Sequence, residues 1–321
     1  MSNKPAIVFF GTPEFAVPSL EILLENDFPI AAVVTVPDKP AGRGQKIITS
    51  PVKEFALSKG LKILQPVNLK DENFINELRS LNAELQVVVA FRMLPEVIWS
   101  MTPLGTFNLH ASLLPQYRGA APINWVIING EKETGLTTFF LNKEIDAGKV
   151  IFREQTMVGK FETAGELHDR LKVAGAALVL KTVTAIHENN IYPLDQTEMS
   201  GGKTMKQAPK LNKENTKIDI RKRPEELCNF ILGLSPVPGA HTQLNNKNGI
   251  SFSLKIFSAR PNFGNHPHPA GKVTTDNKSF LNIYLPGGYI SVDELQLSGK
   301  NRVKVKDFLN GLRIEGEWFI E

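Results

Sequence analysis

The chain has 321 residues, of which 42% are hydrophobic and 22% are charged, and its net charge is +4. These proportions are typical of globular proteins and exclude a disordered, collagen-like or coiled-coil chain, while the length predicts about two domains. The single cysteine, Cys228, excludes an intramolecular disulfide and a cysteine-rich metal module. The first apolar run, residues 6–10, is too short for a secretion signal, and no apolar run is long enough to span a membrane. We therefore expect a soluble, cytoplasmic protein.

Short apolar runs alternate with helical patterns over the first two-thirds of the chain. After the first run, Thr12 is predicted to cap a helix in which Pro13 occupies the first position. Buried Val-rich strands separated by helices are typical of parallel strands joined by crossover helices, so the pattern predicts a doubly wound α/β sheet. Strands are predicted at 6–10, 31–36, 62–64, 85–90, 135–141 and 150–152, and helices at 52–58, 71–81 and 163–188.

The pattern changes in the last third of the chain. Pro193 and the pair Gly201-Gly202 interrupt a polar stretch, so we predict a first domain over 1–190, a linker over 191–207 and a second domain over 208–321. One helix is followed by short strands with Gly, Pro and Asn turns, which predicts a small antiparallel barrel or sandwich. The helix is predicted at 224–232 and the strands at 251–257, 270–274, 281–285, 289–297 and 302–305.

Charge is unevenly divided between the two parts. Residues 1–202 carry 19 Lys and Arg against 22 Asp and Glu, a net of −3, whereas residues 203–321 carry 18 against 11, a net of +7. The excess is concentrated at the junction, where Lys206 and Lys210 lie in a run of cations. A neutral-to-acidic part joined to a basic part is typical of an enzyme with a nucleic-acid-binding domain, and a solvated Lys-rich surface is the alternative.

The densest polar cluster lies at 108–119. Asn108 and His110 are two residues apart, so on a strand they face the same side. Ligands of open α/β sheets bind beyond the carboxyl ends of the strands, where an amide and an imidazole could stabilise one developing oxyanion. The alternative is a buried histidine bonded to backbone, with Asn108 in a turn.

Other polar segments give weaker signals. Asp146 could accept a proton or pair with a protonated histidine, or simply shape an Asx turn. The basic loop 37–46 follows a strand, and its Arg43 suits phosphate, although a plain surface loop fits equally. This loop lacks the third glycine of a dinucleotide fingerprint, which weakens the hypothesis of an NAD-dependent oxidoreductase. His266 and His268 are separated by a proline and have no acidic or cysteine partner nearby in sequence, so we expect a loop rather than a metal site.

Several motifs together resemble the folate-dependent formyltransferases. Asn108, His110 and Asp146 fit that family, and the run Ser112–Pro115 with Tyr117-Arg118-Gly119 is similar to its signature. The resemblance to the branch that acts on initiator methionyl-tRNA covers nearly the whole chain. It is carried by 10–16, the loop 37–46, 50–53, 208–214, 236–240, 294–300 and 308–311. The chain departs from the family at Phe91-Arg92, where a tyrosine followed by a small residue is usual.

The resemblance implies transfer of a formyl group from 10-formyltetrahydrofolate to the amino group of methionine on initiator tRNA. It implies a Rossmann-like, mostly parallel sheet followed by a small all-β OB-like barrel, with no metal. We expect a monomer without an obligate protein partner or a membrane. The implied catalytic residues are Asn108, His110 and Asp146; the implied folate-binding residues are Phe91, Arg92, Met93, Leu94, Ser112, Leu113, Leu114 and Pro115; and the expected tRNA-binding residues are Arg43, Lys46, Lys206 and Lys210.

Two further hypotheses remain open beside this one. A sister formyltransferase could act on a small amine, such as a glycinamide ribonucleotide or an amino sugar, but it would need neither the basic second domain nor the loop 37–46. A non-catalytic folate- or RNA-binding protein could descend from such an enzyme, but the intact trio argues against it.

Overall fold

The computed structural model describes residues 4–41, 46–199, 201–202 and 204–321. The chain divides into two compact units: the first comprises Met1–Gly119, Thr134–Thr156 and His168–Gln207, and the second comprises Ala120–Glu133, Met157–Leu167 and Ala208–Glu321. The domain limits predicted from the sequence stay a prediction. The segment 191–207, expected to be a linker, contains a short helix whose first residue, Gln196, is buried.

A seven-stranded sheet forms the centre of the first unit. The strands of this part of the chain are β1 (Ile7–Gly11), β2 (Ile30–Val34), β3 (Lys39–Ala41), β4 (Lys46–Ile48), β5 (Ile63–Leu64), β6 (Leu85–Val89), β7 (Thr106–His110), β8 (Arg118–Gly119), β9 (Glu133–Phe140), β10 (Val150–Met157) and β11 (Gln207–Ala208). The sheet order is β10-β9-β7-β6-β1-β2-β5. The five neighbouring strands β5, β2, β1, β6 and β7 are parallel, and β9 is antiparallel to β7. The predicted doubly wound, mostly parallel sheet is thus confirmed.

Burial explains why these runs form central strands. Every residue of β1 is buried, as is every residue of β6 beside it, because helices cover both faces of a parallel sheet. The strand order reverses between β1 and β6, since β2 lies on the other side of β1. A ligand crevice is expected at the carboxyl edge near such a reversal.

Two of the helices begin at a residue whose side chain caps them. The Ser50 side chain accepts a hydrogen bond from Lys53 N at the start of the helix Pro51–Ser58, and Asp71 accepts one from Phe74 N at the start of the helix Glu72–Ser80. The helices are α1 (Val17–Glu25), α2 (Pro51–Ser58), α3 (Glu72–Ser80), α4 (Glu96–Trp99), α5 (Pro122–Ile128), α6 (Ala164–His187), α7 (Gln196–Met199), α8 (Pro224–Gly233) and α9 (Val305–Gly311).

The predicted cap at Thr12 is wrong. Pro13 is extended and is followed by a single 3-10 turn over Glu14–Ala16, so the α-helix begins only at Val17. The Thr12 hydroxyl is buried and has no hydrogen-bond partner among the described residues. The sequence pattern identified the helix but placed its start too early, because a second proline, Pro18, falls in the true first turn.

The second unit contains a closed antiparallel barrel. Its strands are β12 (Ala240–Asn246), β13 (Ser251–Phe263), β14 (Lys272–Thr275), β15 (Leu281–Leu285), β16 (Gly288–Leu297), β17 (Val303–Lys304) and β18 (Trp318–Ile320). The order β13-β12-β18-β14-β15-β16 closes because β16 also pairs with β13, and β17 extends the sheet from β16. Alternate residues such as Leu281, Ile283 and Leu285 point into the barrel core. The predicted small all-β barrel is confirmed.

Sequence patterns missed some elements of this unit. β12 has a polar composition, and β18 has only three residues, so neither shows an alternation long enough to identify. β13 continues six residues beyond the predicted end, although Pro261 lies within it. No helix in the described part of the chain is both long and apolar enough to cross a membrane.

Cys228 should be chemically inert in the folded protein. It is buried in α8 against the barrel core, and desolvation, together with Asp293 and Glu225, raises the pKa of its thiol to about 12. At pH 8 only about one thiol in ten thousand is then the reactive thiolate. We expect Ellman's reagent to modify Cys228 only after unfolding in guanidinium chloride. Rapid modification of the native protein would contradict this burial.

Candidate active site

Asn108 and His110 lie at the carboxyl edge of the sheet, on one face of β7. Leu109 between them faces the other side, where its side chain lies against Gly175 of α6. In the ladders, Asn108 is opposite Val88 of β6 and Phe139 of β9. The two residues are therefore brought together as the spacing predicts, on the face away from α6.

The Asn108 side chain is half-buried and makes no hydrogen bond to any of the described residues. An amide in this position has two N–H donors and an acceptor available to a ligand. The neighbouring His110 ring is only 6% exposed and packs edge-on against Phe139. This combination of a free donor pair and a fixed imidazole suits recognition of a carbonyl group.

The His110 ring is oriented by a backbone carbonyl. Its Nε2–H donates to the Tyr117 carbonyl at 2.9 Å, which leaves Nδ1 as the ring atom that can face a substrate. Tyr117 adopts a left-handed conformation with φ 61°, and its N–H donates to the Lys206 carbonyl at 2.7 Å. The turn that holds His110 is therefore itself held by a segment ninety residues further along the chain.

Asp146 approaches the same imidazole from a different loop. Its Oδ2 accepts a hydrogen bond from Gly119 N at 3.0 Å and lies 3.9 Å from His110 Nδ1. That distance is too long for a direct hydrogen bond but short enough for an ion pair when the ring is protonated. Asp146 is left-handed, with φ 52°, so its position depends on the surrounding structure.

The Ser112–Pro115 turn is fixed by Thr137. The Thr137 hydroxyl donates to the Ser112 carbonyl at 2.6 Å and accepts from Leu114 N at 3.1 Å. The Ser112 hydroxyl donates to the Gln116 carbonyl at 2.6 Å, and Arg153 donates to the Leu114 carbonyl. The Leu114 side chain is fully buried against Phe139 and Val150, so any contact of Leu114 with folate would involve its backbone.

The second segment with predicted folate contacts follows β6. The Phe91 and Phe10 rings pack together with their centroids 5.6 Å apart. Met93 is 75% exposed, whereas the Leu94 side chain is buried in a hydrophobic core of the first unit. The Arg92 guanidinium donates to the carbonyls of Pro66 and Val67, which ties this segment to the loop after β5. Folate binding by Phe91, Arg92, Met93 and Leu94, and by Ser112, Leu113, Leu114 and Pro115, stays a prediction.

The basic residues predicted to bind tRNA are placed unequally. Arg43 and the side chain of Lys46 lie outside the described residues. Lys206 is exposed, and its backbone bonds both Tyr117 N and the Gln116 side chain, so it belongs to the loop beside His110. Lys210 is exposed in the second unit.

His266 and His268 pack with aromatic rings. His266 Nε2 donates to the Leu285 carbonyl at 2.8 Å, and both imidazoles lie against the Tyr284 ring. No group of three or more His, Cys, Asp or Glu side chains within the described ranges could hold a metal ion.

Sequence reasoning missed the groups that position the trio. They are the Tyr117 carbonyl, the Gly119 N–H, the Thr137 hydroxyl and the Gln196 side chain. Two are backbone groups, which no residue type reveals. Thr137 reads as an ordinary strand residue, and Gln196 lies in a polar stretch predicted as a linker.

Comparison with known proteins identifies the family. Residues 4–183 match the formyl transferase family, and residues 210–313 match the formyl transferase C-terminal domain. The methionyl-tRNA formyltransferase of Bacteroides thetaiotaomicron is 49% identical over 308 residues, 96% of each chain. That of Flavobacterium johnsoniae is 50% identical over 315 residues, 98% of each chain. This chain belongs to the methionyl-tRNA formyltransferase family. The resemblance seen in the motifs is thereby confirmed.

Solved structures share the fold of this family member at low identity. A sugar 3N-formyl transferase crystallised with dTDP and 5-N-formyl-THF has a TM-score of 0.63 at 21% identity, covering 93% of this chain and 99% of its own. HypX from Aquifex aeolicus, in complex with tetrahydrofolic acid, has a TM-score of 0.60 at 16% identity, covering 95% of this chain and 47% of its own. These likenesses support the architecture of both units.

Replacing Thr137 by Val should loosen the Ser112–Pro115 turn. The substitution keeps the shape of the side chain but leaves a buried carbonyl and a buried N–H unpaired, each costing about 1–3 kcal/mol. We expect the free energy of unfolding to fall by about 2–6 kcal/mol in denaturant titrations. Thr137→Ser keeps the hydroxyl and should retain most of the stability. Equal stability of the Val and Ser variants would show that these bonds do not matter.

Proposed function

We infer that this chain transfers the formyl group of 10-formyltetrahydrofolate to the amino group of methionine on initiator tRNA, giving N-formylmethionyl-tRNA. Relatives at about half identity over nearly the whole chain carry the name of this activity. The observation that supports the chemistry is the convergence of Asn108, His110 and Asp146 at the carboxyl edge of the sheet. The net charge of +7 over residues 203–321 fits a polyanionic acceptor.

The amide and imidazole suit stabilisation of the tetrahedral intermediate. When the neutral amine attacks the formyl carbon, the carbonyl oxygen becomes negative and needs hydrogen-bond donors. The unpaired Asn108 amide can supply one donor, and protonated His110 can supply another from Nδ1, because Nε2 is bonded to the Tyr117 carbonyl. The half-exposed amide next to a ring with one free nitrogen fits a formamide-type carbonyl of the folate substrate.

Asp146 completes the arrangement as a charge partner. Its carboxylate is fixed by the Gly119 N–H and faces His110 Nδ1 at 3.9 Å. A carboxylate–imidazole pair can accept the proton that the attacking amine loses and return it to the leaving nitrogen N10 of the folate. We therefore assign oxyanion binding to Asn108 and protonated His110, and proton transfer to the pair of Asp146 and His110.

We propose that the acceptor tRNA contacts basic residues that belong to both units. Arg43, Lys46, Lys206 and Lys210 are the proposed contacts, and Lys206 is the one whose backbone is fastened beside the catalytic loop. We further propose that the chain works as a monomer in the cytoplasm, without an obligate protein partner. Phosphate contacts of this kind supply affinity without sequence information.

Removal of either oxyanion donor should slow turnover. Asn108→Ala and His110→Ala are each expected to lower kcat about 100- to 1000-fold, the usual cost of one such donor. The assay offers 10-formyltetrahydrofolate with methionyl-tRNA, glycinamide ribonucleotide, an amino sugar nucleotide or no acceptor. Asn76→Ala, on the exposed face of α3, is the matched control. Near-normal turnover by Asn108→Ala would overturn the assignment, and preference for a small amine would overturn the proposed acceptor.

Neutralising the proposed phosphate contacts should reduce the salt dependence of tRNA binding. Each contact contributes about −0.7 to −0.9 to the log–log slope of affinity against salt concentration. We expect Lys206→Gln and Lys210→Gln each to raise KM for methionyl-tRNA and flatten that slope by about one contact, while KM for the folate is unchanged. Lys59→Gln, at the carboxyl end of α2 and thus near the amino edge of the sheet, is the control. Unchanged slopes would exclude these two lysines from the interface.

A further inference from the structure

A buried glutamine bridges the two backbone segments that hold the catalytic trio. Gln196 is the first residue of α7 and is 2% exposed. Its Oε1 accepts two hydrogen bonds from the Arg118 guanidinium, 3.0 Å from Nε and 2.7 Å from Nη2. Its Nε2 donates to the carbonyls of Asp146 at 2.9 Å and Gly148 at 2.8 Å. Both donors and both lone pairs of the amide are therefore used.

The chemistry of its partners fixes the orientation of this amide. A guanidinium can only donate and a backbone carbonyl can only accept, so the oxygen of Gln196 must face Arg118 and the nitrogen must face the Asp146 turn. Few substitutions could satisfy all four groups at once. A buried amide with every bond made is typical of a group that defines a geometry rather than one that fills space.

The two segments joined by Gln196 are also joined at the active site. Gly119, next to Arg118, donates its N–H to the Asp146 carboxylate, while Tyr117, on the other side of Arg118, accepts from His110. A closed ring of bonds thus runs from the Asp146 carboxylate through Gly119, Arg118 and Gln196 back to the Asp146 carbonyl. This ring holds Asp146 in its left-handed conformation, which a non-glycine residue adopts only when the surroundings impose it.

Gln196 itself is anchored just before α7. Leu194 and Val150 exchange two backbone hydrogen bonds, with Val150 N donating at 2.8 Å and Leu194 N at 2.9 Å. The position of Gln196 is therefore set by β10 of the same sheet that carries His110. The sheet therefore positions both residues. His110 is part of β7, and the Asp146 carbonyl is bonded by Gln196, which is anchored to β10.

We propose that Gln196 is a positioning residue for formyl transfer, which ties the Asp146 turn to Arg118 and so fixes the Asp146 carboxylate relative to His110. The proposal rests on the proposed function for its kinetic consequence. It predicts an effect on kcat and little effect on the binding of either substrate, because Gln196 is buried and its amide bonds Arg118 and two backbone carbonyls. It also predicts a direct effect on the hydrogen bond between Gly119 and Asp146.

The kinetic test replaces Gln196 by Met, which keeps the volume and removes all four hydrogen bonds. We expect kcat to fall about 10- to 100-fold, with KM for 10-formyltetrahydrofolate and for methionyl-tRNA changed less than about threefold. Gln86→Met is the matched control, since Gln86 is a fully buried glutamine on β6 at the amino end of the strand. It should change the melting temperature but leave kcat near wild type. An unchanged kcat for folded Gln196→Met would overturn the proposal.

A double-mutant comparison shows whether Gln196 acts through Asp146. If it does, Gln196→Met should lower kcat much less in an Asp146→Asn background than in the wild-type background. Equal factors in the two backgrounds would mean that Gln196 acts elsewhere. Gln196→Glu is the second variant: it keeps the contact to Arg118 but removes both amide donors, and a wild-type kcat for it would also overturn the proposal.

A measurement without any acceptor separates this inference from the proposed function. The exchange of the Gly119 amide hydrogen, followed by NMR in the full chain, reports its bond to Asp146 directly. We expect Gln196→Met to speed this exchange at least tenfold and Gln86→Met to leave it unchanged. Unchanged exchange in Gln196→Met would overturn the positioning role. A wild-type chain that fails to formylate methionyl-tRNA would count against the proposed function alone.

Discussion

The geometry of the candidate site depends on three consecutive backbone positions, Tyr117 to Gly119. The carbonyl of the first orients the His110 ring, and the N–H of the last holds the Asp146 carboxylate. Neither group is a side chain, so the sequence of this turn matters for the conformation it permits, with φ 61° at Tyr117 and 123° at Gly119. The glycine is needed there because few other residues adopt such a φ without strain. A turn of this kind can hold two ionisable side chains close together, one from a strand and one from a loop distant in sequence.

The sheet supplies the rest of the framework. β7 presents Asn108 and His110 to one side because Leu109 is used against α6. The antiparallel strand β9 then returns beside β7 and brings Thr137 opposite His110. There the Thr137 hydroxyl fixes the Ser112–Pro115 turn. A parallel neighbour of β7 would have required a long crossover connection, usually a helix, before the next strand could begin. The reversal in strand direction therefore contributes a buried hydroxyl to the candidate site.

The fold, and the placement of Asn108 and His110 on one face of a strand, were predictable because they depend on periodicity and on residue type. Buried Val-rich runs gave β1, β2 and β6, and the two-residue spacing placed Asn108 and His110 on one face. What supports the trio was not predictable. Gln196 lies fifty residues from Asp146 in a polar stretch without periodicity, and its four bonds exist only once the sheet has formed. Thr12 shows the opposite error, since a good local cap signal was overridden by two prolines that delay the helix.

The return of the chain to the candidate site has an evolutionary consequence. After α6 the polypeptide could have left the sheet, yet Gln196 and the Lys206 carbonyl still bond to residues 116–118 and 146–148. A recombination event that exchanged the C-terminal part of the chain at the end of α6 would remove these supports. A crossover after Gln207 would instead join a new C-terminal part to a candidate site that keeps both supports. The stretch between α6 and β11 is thus tied to the candidate site through a buried glutamine and a backbone carbonyl.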